Sequence, residues 1–110
     1  MDKKKAERLK GAGWAIGDAG DFLELTDEER AFIETKLALA VAVRDRRKRR
    51  KLSQAQFARK VGSSQSRVAK MEAADPTVSL DLLVRSLLSL GATQADIAKA
   101  IHKGVRRSAA

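Results

Sequence analysis

A chain of 110 residues, 44% hydrophobic and 34% charged, is sized for one domain with a modest core and is neither a membrane span nor a disordered tail. It has no cysteine, which removes disulfide scaffolds, thiolate zinc sites and thiol catalysis together. Its net charge of +9 is divided unevenly: residues 1–35 hold six Lys or Arg against nine Asp or Glu, and residues 36–110 hold seventeen against five, an acidic segment attached to a strongly basic domain.

Residues 1–25 read as an arm. Gly11, Gly13, Gly17 and Gly20 do not support a long helix, yet Trp14, Ile16, Phe22 and Leu23 are too apolar for a free linker. Two readings stay open. Either these side chains tuck into the domain's own core, or Trp14 and Phe22 anchor another protein, with Asp18, Asp21 and Glu24 supplying a charged surround. The opening Met1-Asp2-Lys3-Lys4-Lys5 lacks the apolar core of a secretory signal, no stretch is long enough to span a bilayer, and a cytoplasmic location is expected.

Thr26 with Glu29 has the spacing of a capping box, and Asp27, Glu28 and Glu29 suit the positive end of a helix dipole. A long helix is therefore predicted from Thr26 through Phe32, Ile33, Leu37, Ala40 and Val41 to the cations between Arg44 and Lys51. Ser53 with Gln56 repeats the capping box and starts a short second helix with Phe57, Ala58 and Val61 inward. Gly62 then sits where the chain must turn, Ser63 and Ser64 can cap a third helix, and its inward stripe is Val68 and Met71 with Ala69 beside them. Gln65, Ser66, Arg67 and Lys70 fall on the opposite face. Pro76 marks a loop, Ser79 opens a helix to Leu90, and Gly91 closes it. Thr93 with Asp96 opens a last helix, Gln94 to His102, with Ala95, Ile97, Ala98 and Ile101 as its apolar face. The domain is thus expected over residues 26–102, with a frayed basic tail at 103–110.

The stretch Leu52-Ser53-Gln54-Ala55, Phe57-Ala58, Val61-Gly62, Gln65, Val68 and Met71-Glu72 resembles the helix-turn-helix of the Xre/Cro family, which includes lambdoid phage repressors; the likeness runs from about residue 36 to 101. It implies an all-α, five-helix lambda repressor-like domain, here with an N-terminal extension. It also implies that Gln65 and Ser66 meet base edges, that Gln54 and Ser64 meet phosphates, and that Arg47 pairs with Glu72. One departure is Ala74, where such domains carry Gly or Asn. An Ala at positive φ there would cost on the order of 1 kcal/mol.

The chemistry of those residues agrees. The Gln65 amide is able to accept from adenine N6 and donate to N7, and Arg67 or Lys70 to donate to guanine O6 and N7, while Arg49, Arg50 and Lys51 remain for phosphates. One short helix reads few base pairs, so a homodimer on a palindromic operator is expected, with Leu82, Leu87, Leu90, Ile97 and Ile101 as candidates for its surface. An acidic arm before such a domain is similar to HigA-type antitoxins, and that likeness implies a basic RNase toxin of the RelE/HigB class as partner and repression of the shared operon. A stand-alone or phage repressor, and an RNA-binding or interaction protein, are the alternatives. Catalysis has little support, since the single His102 lies near a basic helix end and no phosphate-cradling motif occurs. No metal and no cofactor are expected.

Overall fold

The computed structural model describes residues 25–109, with side chains described to Val105. Five helices follow in order: α1 (Asp27–Arg49), α2 (Gln54–Lys60), α3 (Gln65–Glu72), α4 (Leu80–Ser89) and α5 (Gln94–Ala109), with no strand among the described residues. The described residues thus form an all-α domain of five helices. Trp14, Asp18, Asp21, Phe22 and Glu24 lie outside the described residues.

Every helix opens on a hydroxyl. Thr26 Oγ1 accepts from Glu29 N at 3.1 Å, Ser53 Oγ from Gln56 N at 3.0 Å, Ser64 Oγ from Arg67 N at 3.1 Å, Ser79 Oγ from Leu82 N at 3.1 Å and Thr93 Oγ1 from Asp96 N at 3.1 Å. In the boxes at Thr26, Ser53 and Thr93 the reciprocal bond is also made, to Glu29 Oε1 at 3.4 Å, Gln56 Oε1 at 2.7 Å and Asp96 Oδ2 at 2.9 Å. Each such cap satisfies amides that have no partner in the first turn and is worth about 1 kcal/mol. Ser63, the other candidate cap, caps nothing: its hydroxyl is buried without a hydrogen-bond partner.

The first four helices share one ending. An amide reaches five residues back, Leu52 N to Arg47 O, Ser63 N to Ala58 O, Asp75 N to Lys70 O and Ala92 N to Leu87 O, and the preceding residue takes a left-handed conformation. Those residues are Lys51 at φ 58°, Gly62 at 68°, Ala74 at 54° and Gly91 at 88°. This is the Schellman motif, which satisfies the last carbonyls of a helix and favours glycine at the left-handed position. Two of the four positions hold glycine and two do not.

α1 is the hub against which α3, α4 and α5 pack. Val43, Phe57, Val68, Met71, Leu83 and Leu90 have no exposed surface, and Leu39 and Leu87 are buried beside them. Leu25 joins this core from the arm side of the expected boundary. α5 runs antiparallel along α1, since Gly104 meets Ala38 near one end and Arg46 Nη2 bridges Asp96 Oδ2 at 3.2 Å near the other. The side of the α1 turn at Lys36 is buried as well, with its Nζ donating to Pro76 O at 3.4 Å in the α3–α4 loop.

Several expectations are corrected. Leu87 and Leu90, offered for a dimer surface, are core, because α4 turns them toward α1. Ala69, Ala95 and Ala98 are exposed rather than inward, since the phase of α3 and α5 is set by their larger residues. α5 does not fray at Lys103 but continues to Ala109, held to α1 through Gly104.

Candidate nucleic-acid interface

α2 and α3 form a helix pair joined by a turn of four residues, Val61 to Ser64. Phe57 and Ala58 of α2 are buried against Val68 and Met71 of α3, and Gly62 supplies the positive φ that the tight turn requires. Burying Val68 and Met71 fixes the rotation of α3. Gln65, Ser66, Arg67 and Lys70 are consequently all exposed on its outer face, and Ala69 stands among them. An exposed face of one amide, one hydroxyl, two cations and a methyl carries donors and acceptors for base edges, and the methyl is a partner for thymine.

α3 is tied to α1 by a bidentate ion pair. Arg47 Nε donates to Glu72 Oε2 at 2.5 Å and Nη2 to Oε1 at 3.0 Å, while Nη1 donates to Leu52 O at 2.7 Å across the α1–α2 connection. Arg47 is 8% exposed. The hydrogen bond to Glu72 holds the guanidinium above its ordinary pKa despite the opposing effect of burial. Gln54 joins the same cluster, with Nε2 donating to Glu72 Oε1 at 3.1 Å. Its amide therefore braces α2 against the end of α3, and one of its two N–H groups is committed within the domain.

The other residues expected at phosphates divide. Arg49 and Lys51 are exposed, and Ser64 is exposed at the start of α3 with its oxygen already capping Arg67 N. Arg50 is redirected: its Nη1 donates to Leu90 O at 2.7 Å, closing the end of α4, where an orphan carbonyl attracts a cation. The sequence reading passed over Arg59 and Lys60, which the structure leaves exposed in the last turn of α2, immediately before the turn to α3. Their signal was visible as two cations directly preceding Val61-Gly62.

Residues 43–85 match the family model described as helix-turn-helix. The matched residues carry a helix-turn-helix. The match runs from the last third of α1 to the middle of α4 and so contains both helices of the motif and the Arg47–Glu72 pair that braces it. The helix-turn-helix is a DNA-binding unit of transcription regulators, and α3 is its recognition helix. No curated protein and no solved structure matches the chain at a significant level. No helix among the described residues is long and apolar enough to cross a membrane.

Proposed function

We propose that the chain is a sequence-specific repressor that lays α3 in the major groove and reads bases with Gln65, Ser66, Arg67 and Lys70. The observation that carries this reading is the division of α3 into a fully buried apolar face, Val68 and Met71, and an exposed polar face in one rigidly braced helix. Lys51, Arg49, Ser64 and the second N–H of Gln54 serve the phosphates, joined by Arg59 and Lys60. Arg50 leaves that set. A homodimer on a palindromic operator provides the specificity that one helix lacks. Changing Gln65→Ala and Lys70→Ala separately, and measuring binding to the promoter and to random duplex at fixed salt, tests base readout. Loss at the promoter by about 1 to 3 kcal/mol per contact, with little change on random DNA, is the expected result. Equal losses on both duplexes overturn it.

The finer reading makes this repressor the antitoxin of a pair, with a basic RNase toxin of the RelE/HigB class as its partner and its own operon as its target. What supports it is charge. Between residues 18 and 34 stand seven acids against the single cation Arg30, a surface that attracts a basic partner. Co-expression with the neighbouring reading frame, with and without residues 1–35, tests it: neutralisation only by the full chain is expected. A neighbour that is not toxic, or that forms no complex with the full chain, leaves the stand-alone repressor as the reading.

A further inference from the structure

On the side of α1 that α5 leaves partly uncovered lies a surface groove of about 230 Å³. Val41, Ala42 and Ile97 make an apolar floor, and the exposed cations Arg49, Lys99 and Lys103 stand along its rim. Asp45 is the one acid on that lining outside the Arg46–Asp96 bridge. The groove is smaller than the ~300 to 1,000 Å³ of ligand pockets. Its chemistry suits a chain segment with acids and a few large apolar side chains.

The chain contains such a segment. Residues 13–24, Gly-Trp-Ala-Ile-Gly-Asp-Ala-Gly-Asp-Phe-Leu-Glu, carry three acids and no cation, together with Trp14, Ile16, Phe22 and Leu23. We propose that the α1–α5 groove is the docking place of the far end of this segment, Trp14 and Ile16 on the apolar floor and Asp18 against the rim cations. The lengths agree. Leu25 is anchored in the core at the start of α1, and Ala42 lies ~24 Å along the helix from Thr26 at ~1.5 Å per residue. Twelve residues reach up to ~40 Å when extended, enough to run the length of the groove.

This proposal is independent of the toxin partner.

Trp14 is the only tryptophan, so fluorescence of the full-length protein reads the segment directly. Docking predicts emission blue-shifted from a free tryptophan amide and protection from acrylamide. Ala42→Glu, and separately the pair Lys99→Glu with Lys103→Glu, should return both readings toward solvent values, with helicity by circular dichroism retained. Ala98→Glu, on the exposed side of α5, should change neither. Solvent-like emission in the unaltered protein overturns the proposal, as does protection that survives both groove variants. Protection that disappears on dilution also overturns it, because a second copy would then be the occupant.

Discussion

Lys51 and Ala74 hold the same left-handed backbone under opposite burial, so replacing each by glycine separates strain from packing. The left-handed conformation costs a side chain ~1 to 2 kcal/mol, and glycine returns part of the gain through its freer unfolded chain. Lys51 is exposed, and Lys51→Gly should stabilise the domain by about 0.5 to 1 kcal/mol in urea denaturation. Ala74 is buried, and Ala74→Gly also loses a packed methyl worth ~0.8 kcal/mol, so its net effect should lie near zero. Lys51→Gly should at the same time reduce the dependence of DNA binding on salt, by about 0.9 in the log–log slope if Lys51 meets one phosphate. A more stable protein with weaker salt dependence is the combined signature. The departure at Ala74 was legible from sequence, because a glycine was missing where the motif places one. That at Lys51 was not, since a lysine at the end of a basic run reads as part of the helix.

Between elements the decisive contact is Arg47 with Glu72. Removing one member of a buried pair strands the other, so Glu72→Ala should cost about 3 to 5 kcal/mol by denaturant titration. The pair Arg85–Asp81 on α4, at 3.1 Å but three-quarters exposed, provides the contrast: Asp81→Ala should cost under about 0.5 kcal/mol. A second element-scale test concerns α5. A Cβ on Gly104 would stand 2.4 Å from Ala38 Cβ, closer than any two carbons tolerate. The helix propensity gained by Gly104→Ala, ~1 kcal/mol, is opposed by overpacking of ~1 to 3 kcal/mol. Thermal melting should show net destabilisation, and adding Ala38→Gly should relieve the clash and recover part of it. The five helices after Thr26 were legible because caps and glycines fall at fixed offsets from the apolar stripes. The extent of α5 was not, because what carries it past His102 is a close approach between Gly104 and α1, residues 66 apart in the chain and invisible to local pattern.

At the scale of the whole molecule, stability depends on how the basic charge is placed. Lys36 is buried, and desolvation pushes its ammonium below the ordinary value of 10.5 although Asp75 opposes the shift. The unfolded chain then holds that proton more tightly than the folded one. Stability is lowered while pH is below the folded pKa and rises as pH climbs from there toward 10.5. Urea titrations toward that pH should show a positive slope that Lys36→Met flattens. Base-contact candidates were readable because exposure on α3 follows from the stripe Val68 and Met71, whereas the fate of Arg50 rested on where α4 would end in space. Within the run Arg44 to Lys51, Arg46 bridges Asp96 of α5, Arg47 holds Glu72 of α3, and Arg50 closes α4 at Leu90, so three cations of one run are wired to three different helices. A lysine-for-arginine exchange throughout this run would keep the charge of +9 and the attraction to a polyanion, but an ammonium does not reproduce the planar fork. The same few codons therefore specify both how the protein finds DNA and whether its helices stay assembled, and substitutions silent to the first are not silent to the second.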